Sequence, residues 1–260
     1  MEKKYTFAEF MDIIRQLRSE NGCPWDREQT HESLRNCMLE EAYESVEAIE
    51  NKDMENLCEE LGDLLLQIAL HAAIAEEKNE FAIEDVIKGI STKMIRRHPH
   101  VFGNSKADTA EDVLQNWEEI KKQEKHEENF SEGMLRVAKA LPANIRAEKV
   151  QKKAAKAGMD FKDYEQVLDK VYEELNELKK AKESSNMEAI TEEFGDLMFT
   201  VINLSRFLLI NAENSLTNAT NKFINRFVDV ERLAAKESRS LAEMSDHELD
   251  ALWGQVKKLK

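Results

Sequence analysis

Apolar residues along this chain recur at helical intervals rather than in strict alternation. Leu57, Leu64 and Ile68, and again Ile190, Leu197 and Val201, fall on one stripe of an α-helix and leave the other faces polar. Start signals sharpen the pattern. Thr6-x-x-Glu9, Asp163-x-x-Gln166, Ser185-x-x-Glu188 and Ser245-x-x-Glu248 carry the spacing in which an N-cap oxygen and the side chain three residues on satisfy free amides reciprocally. Together these features predict helices over about 6–20, 31–51, 53–78, 83–97 and 110–125, then over about 142–157, 163–183, 186–210, 212–236 and 246–258.

Five helices followed by five helices imply repetition, and the residues bear the same order twice. Gly22-Cys23-Pro24-Trp25 is matched by Gly158-Met159-Asp160-Phe161. Glu41-x-x-Glu44 and Glu60-x-x-Asp63 are matched by Glu174-x-x-Glu177 and Glu193-x-x-Asp196, Lys93 and Arg97 by Lys222 and Arg226, and Trp117 with Lys121 by Trp253 with Lys257. The polar stretch from Gln123 to Met134, rich in Glu, Lys and Asn, breaks the apolar rhythm between the copies. The expected organisation is all-α, two tandem repeated helical-bundle modules over residues 1–125 and 138–260 joined by a linker at 126–137.

Composition agrees with this reading and narrows the function. Eight glycines and three prolines in 260 residues leave little punctuation for short strands. A formal charge of −15 sets the surface field against nucleic acid and acidic membranes, so no stable nucleic-acid binding and no membrane partner is expected. A small anionic substrate remains open to such a protein if a metal or a few local cations meet it. Cys23, Cys37 and Cys58 lack CxxC spacing and suit free thiols in a reducing compartment. With no signal-like run or apolar stretch long enough to span a bilayer, a cytoplasmic location is expected.

Positions three apart on a helix lie about 60° apart around its axis, so each ExxE and ExxD pair shares one face. Those faces border the apolar stripes named above, where carboxylates partly withdrawn from water and close together need a counter-charge. If the paired helices form antiparallel hairpins, the pairs face each other and present a ring of hard oxygen ligands suited to Mg²⁺, with Mn²⁺ as a substitute. A single ExxE in so acidic a chain is ordinarily a solvated face. Here the same four acids recur in both halves with fifteen residues between the pairs, which singles them out. A di-iron bundle site calls for Glu-x-x-His, which does not occur at these positions. His71 has Leu204 as its repeat counterpart and is expected to be a satisfied, partly buried histidine. His98 and His100 flank Pro99 past a helix end and are expected to serve a loop or helix terminus.

The run Glu40-Glu41-x-x-Glu44, the Glu60-x-Gly62-Asp63 motif, Arg96-Arg97-His98-Pro99-His100-Val101-Phe102 and Asn21-Gly22-Cys23-Pro24-Trp25-Asp26 closely resemble the MazG family of nucleoside triphosphate pyrophosphohydrolases, over essentially the whole chain. The resemblance implies helical modules, a homodimer, Mg²⁺, and cleavage of nucleoside and deoxynucleoside triphosphates to the monophosphate and pyrophosphate, with the carboxy-terminal module the main catalytic one. Carried over by motif, it implies metal ligation by Glu174, Glu177, Glu193 and Asp196 and nucleotide contacts from Lys222, Arg226, Trp253 and Lys257, with Lys170, Glu173 and Glu192 adjoining. Glu173 or Glu192 is the expected general base, and Lys170 an expected substrate contact. Glu41, Glu44, Glu60, Asp63, Lys93, Arg97, Trp117 and Lys121 form the corresponding second site. Two alternatives stay open at this point: a narrower dUTP or damaged-nucleotide pyrophosphatase, and a nucleotide-binding regulatory protein without turnover.

Overall fold

A computed structural model of the chain describes residues 3–125, 129–237 and 239–258. Among these residues the secondary structure is helical, with no strand, as the apolar spacing predicts. The chain divides into two compact units, residues 1–125 and 126–260. Residues 126–128 of the expected linker lie outside the described residues.

The first unit contains α1 (Phe7–Arg18), α2 (Pro24–Glu28), α3 (Arg35–Asn51), α4 (Met54–Glu77), α5 (Ile83–Arg97), α6 (Pro99–Phe102) and α7 (Ala110–Lys125). The second contains α8 (Phe130–Leu135), α9 (Ala143–Lys156), α10 (Tyr164–Ser184), α11 (Met187–Phe207), α12 (Ala212–Lys236), a 3-10 turn at Leu241–Glu243 and α13 (Asp246–Lys258). The ten helices predicted from periodicity are all present. The additional short ones arise from local chemistry that a periodicity of several turns does not register. Pro24 and Pro99 open α2 and α6 at positions where the missing N–H costs nothing. Asn129 caps α8 within the stretch expected as linker, accepting from the Glu132 amide at 3.0 Å.

Both hairpins turn by the same device. At the end of α3, Lys52 adopts a left-handed conformation (φ 58°), and Asp53 then caps α4 by accepting the Asn56 N–H at 3.1 Å. At the end of α10, Ser185 takes φ 55° and Asn186 caps α11, accepting from the amides of Glu188 and Ala189. The capping box expected at Ser185 and Glu188 is therefore displaced by one residue: Ser185 is spent on the left-handed turn, and Asn186 has the extended backbone that a cap requires. So short a connection reverses the chain and lays α3 along α4 and α10 along α11.

Each unit has its own core. In the first, Met11 and Ile14 of α1 meet Leu34, Ile83 and the apolar second half of α4, with Leu70 and Ile74 nearly inaccessible. Arg18 is buried beside them and is matched in full: its guanidinium holds the Glu77 carboxylate at 2.8 Å on two nitrogens and reaches the Asp26 and Gln29 carbonyls. The paired glycines of the repeat serve different ends. A Cβ at Gly22 would sit 2.2 Å from the Leu17 carbonyl oxygen, whereas Gly158 supplies a positive φ of 84° after α9.

In the second unit, α12 and α13 bury Val230, Ala234, Met244, Leu252 and Val256 together. The entry to α13 is the reciprocal cap predicted from sequence, with the Ser245 N–H donating to Glu248 at 2.8 Å and the Glu248 N–H to Ser245 Oγ at 3.4 Å. Arg239 adds an ion pair to Glu248 at 2.5 Å and, with the cap, holds the Glu248 carboxyl down to about 2. A carboxyl depressed below its ordinary value of 4.5 contributes stability above that value and loses it as the pH falls toward about 2. Glu248→Gln is accordingly expected to lower the melting temperature at pH 7. Thermal denaturation across pH should show the gap to wild type closing between about 4.5 and about 2.

Candidate functional site

The hairpins bring acids from separate helices together. In the second unit, Glu174 and Glu177 of α10 and Glu193 of α11 each offer an oxygen within 4.8 Å of the others. In the first, Glu41 and Glu44 of α3 and Glu60 of α4 do the same. Asp196 and Asp63 stand just outside these trios, near enough to act on them electrostatically. An aspartate is one methylene shorter than a glutamate, so its carboxylate reaches less far from the helix.

These groups share an unfavourable field. Burial pushes the Glu193 carboxyl up, and Glu177, Glu174, Asp196 and Glu192 push it further. Glu41 is raised by burial and then by Asp63, Glu44 and Glu60; Glu60 by burial and then chiefly by Glu44 and Asp63. Glu174 is the most enclosed of the acids, at 5% exposure. It is answered by Lys170, whose Nζ lies 2.7 Å from Glu174 and 2.9 Å from Glu173, and these partners push the lysine well above its usual range. Glu192 is exposed. An enclosed cluster of three glutamate oxygens with a single lysine against it fits a hard divalent cation by charge and by donor type.

The cations of the two units differ. In the second unit, Lys222 is exposed on α12, and Arg226 one turn later is half-buried with its Nε enclosed and without an acceptor. Trp253 of α13 packs its ring 5.2 Å from Phe223, and Lys257 Nζ stands 5.9 Å from the Trp253 ring centre. Among the described residues no ion pair links these cations to the α10–α11 carboxylates. In the first unit, Lys93 is exposed, but Arg97 is buried over Trp117 at 5.2 Å and grips Glu124 with Nη2 at 2.5 Å and Nε at 3.2 Å. Arg96 reaches the same carboxylate at 2.6 Å. Arg97 and Arg96 together pull the Glu124 carboxyl down. Lys121 lies exposed on α7 a turn beyond Trp117.

Nothing in the helical pattern singles out Glu124, although the repeat carries a signal. The offset that pairs Trp117 with Trp253 and Lys121 with Lys257 also pairs Glu124 with Lys260, a reversal of charge between the copies. Nor does the pattern single out Gln151, a buried polar residue on α9. His71 and His98 fall as expected, whereas His100 keeps a buried Nδ1 with no hydrogen-bond partner. His71 is half-buried and stacked on His31 with Nδ1 atoms 2.7 Å apart, and His98 ends α5 with Nδ1 2.6 Å from the Met94 carbonyl oxygen. The three cysteines are free thiols, and no helix among the described residues is long and apolar enough to cross a membrane.

Comparison with known proteins matches residues 29–102 and 162–230, which contain both carboxylate clusters, to the family described as the MazG nucleotide pyrophosphohydrolase domain. The chain is 45% identical over 251 residues to a Thermotoga maritima protein named nucleoside triphosphate pyrophosphohydrolase/pyrophosphatase MazG, covering 96% of this chain and 95% of that one. It is 40% identical to the Escherichia coli K12 nucleoside triphosphate pyrophosphohydrolase, with 95% of each chain covered. Bacillus subtilis YabN is 48% identical over 259 residues, which span 97% of this chain and 52% of YabN.

The raised Glu193 carboxyl carries a stability consequence. A group whose folded value lies above its ordinary 4.5 costs nothing while protonated in both states, and stability is lost as the pH rises through the folded value. In chelator, Glu193→Gln is therefore expected to raise the melting temperature at pH 8 and to leave it nearly unchanged at about pH 4. Differential scanning calorimetry at the two pH values reads the contrast.

Proposed function

The chain belongs to the MazG family of nucleotide pyrophosphohydrolases, and from that membership we propose that it cleaves nucleoside and deoxynucleoside triphosphates to the monophosphate and pyrophosphate, using Mg²⁺, or Mn²⁺ in its place, held by Glu174, Glu177, Glu193 and Asp196. The observation that carries the proposal is the Glu174, Glu177 and Glu193 cluster, enclosed enough to raise the Glu193 carboxyl and composed of hard oxygen donors. A divalent cation bound there supplies charge neutralisation for the triphosphate and acidifies water. Glu173 and Glu192 flank the cluster and are the proposed proton acceptors for the attacking water. Lys170, fixed between Glu173 and Glu174, stands where a phosphate oxygen would compete for it. Lys222 and Arg226 are proposed to meet the departing pyrophosphate, with Lys257 beside them and Trp253 offering a flat face to the nucleotide.

The carboxy-terminal module, residues 138–260, is the proposed catalytic one. Both units hold an acid cluster, so the metal ligands do not separate them. The cations do. Arg97 spends its charge on Glu124, while the equivalent Arg226 keeps an unmatched Nε. Glu124 thus occupies, in the amino-terminal unit, the place that a phosphate oxygen would take.

A homodimer is proposed as the working assembly. Two separate globules of half this mass would together expose about 14,000 Å², whereas the chain exposes 18918 Å². The excess includes apolar side chains on the helices that carry the site, among them Phe194, Met198 and Val201 on α11 and Phe223 and Phe227 on α12. Three free thiols support a reducing, cytoplasmic location.

The double substitution Glu193→Ala, Asp196→Ala is expected to reduce pyrophosphate release from a mixed nucleotide pool with Mg²⁺ by about 100-fold or more. Retention of wild-type turnover would show the cluster to be misassigned. In that disabled background, adding Glu124→Ala is expected to tighten nucleotide binding by about tenfold as Arg97 becomes available to phosphate. Calorimetric titration measures the change, and an unaltered affinity would contradict the role given to Glu124.

A further inference from the structure

Two histidines of the first unit make a contact that the proposed chemistry does not use. His31 lies in the turn at residues 31–34 that leads into α3, and His71 lies in the second half of α4. Their rings stack with centroids 5.0 Å apart and planes 2° from parallel, and the two Nδ1 atoms are 2.7 Å apart. At that separation one Nδ1 carries a proton and donates it, and the other accepts.

The bond fastens the turn to α4. At the start of the turn Thr30 and Ser33 cap each other, the Thr30 N–H donating to Ser33 Oγ at 2.9 Å and the Ser33 N–H to Thr30 Oγ1 at 3.2 Å. Leu34 follows, fully buried in the core that holds Leu70 and Ile74, and α3 then runs on to Glu41 and Glu44. At the offset that pairs Glu41 with Glu174 and Glu60 with Glu193, the second unit has Tyr164 for His31 and Leu204 for His71. Neither takes up a proton near neutral pH, so the titratable pair distinguishes the first unit from its repeat.

Proton counting decides when the contact can exist. With both imidazoles neutral, a single proton lies between the Nδ1 atoms. One added proton goes to Nε2 of the donor ring and leaves the bond in place, now charge-assisted. A second puts a proton on each Nδ1, and donor then faces donor. Burial pulls His71 below its ordinary 6.5, and His31 pulls it further. Glu32 favours the first charge on His31. Other charged groups on the elements packed against α4 are engaged elsewhere or exposed. Arg15 and Arg18 of α1 hold Glu76 and Glu77, Glu84 of α5 acts on Arg15, and Asp85 accepts the Ala82 N–H. Lys88 of α5 and Arg35 and Glu40 of α3 are exposed, and Cys37 is a half-buried free thiol.

We propose that His31 and His71 form a proton-operated latch, which holds the entry of α3 on α4 while the pair carries at most one positive charge and releases it when both rings are charged. Below 6.5 the unfolded chain takes up a proton at His71 that the folded pair resists, so the stability of the contact, complete above that pH, is lost as the pH falls.

Hydrogen–deuterium exchange of the full chain in chelator, corrected for the intrinsic pH dependence of amide exchange, reads the latch in peptides covering residues 29–41. Peptides covering 162–174 serve as the internal reference. From pH 7.5 to pH 5.5, protection of 29–41 in the wild type is expected to fall about tenfold relative to that reference. His71→Gln and, separately, His31→Gln keep a side chain able to donate to or accept from the remaining imidazole without taking a charge, and each is expected to hold the ratio within about twofold. No fall in the wild type, or an equal fall in a variant that keeps its melting temperature at pH 7.5, overturns the latch. The wild type alone gives a second reading by histidine NMR, in which the pair is expected to titrate in two steps, the second below 6.5. Two independent titrations at the ordinary value also overturn the proposal.

Discussion

Carboxylates on two helices of a hairpin repel one another across a few ångströms, and in this protein the covalent turn between the helices holds them there. Lys52 with Asp53, and Ser185 with Asn186, reverse the chain within a left-handed residue and an Asx cap, so the register of one helix against the other is set at the turn. From that register Glu41 and Glu44 meet Glu60, and Glu174 and Glu177 meet Glu193. Burial raises the carboxyls of Glu41, Glu60 and Glu193, and that enforced proximity raises them further. A fold that stores like-charge repulsion at one place is poised to bind a cation there, because ligation relieves what the hairpin imposes.

The two copies of the hairpin diverge in what surrounds it. Lys170 is held against Glu174 in the second unit, so one positive charge already stands at the edge of the acid cluster. In the first unit, the strongest cation is turned to structural use: Arg97, stacked over Trp117 and bound to Glu124, fastens α5 to α7. The corresponding α12–α13 contact is made instead by apolar packing, with Trp253 on Phe223 and a core of Val230, Ala234, Leu252 and Val256. An ion pair that secures a helix contact and an apolar core that does the same job are interchangeable for stability. They differ in what they leave unpaired, because only the apolar solution leaves the arginine Nε without an acceptor.

Much of this architecture was legible in the amino-acid sequence. Helices announce themselves through apolar spacing and caps, both local properties, and the ten long elements appear where those signals lie. Thr6 with Glu9 and Ser245 with Glu248 form the reciprocal caps that their spacing foretells. The displaced cap at Asn186 marks where local signals run out. Ser185 and Asn186 are both competent caps, and the choice between them depends on which residue turns left-handed to end the helix before. Short helices such as α2, α6 and α8 escape periodicity because they are only one or two turns long.

The acid clusters were legible because both members of each pair lie on one helix and the pairs repeat, so spacing by itself puts oxygens on a shared face. What the sequence could not rank were the interactions between residues distant along the chain. Glu124 reaches Arg97 from 27 positions away, and Gln151 meets the Phe199 carbonyl from 48 positions away. Neither pairing follows from any local rule. Tertiary packing decides them, because whether a cation is free or an amide oxygen is left without a donor depends on which side chains the folded chain brings within about 3 Å, a property of the assembled helices and not of any one of them.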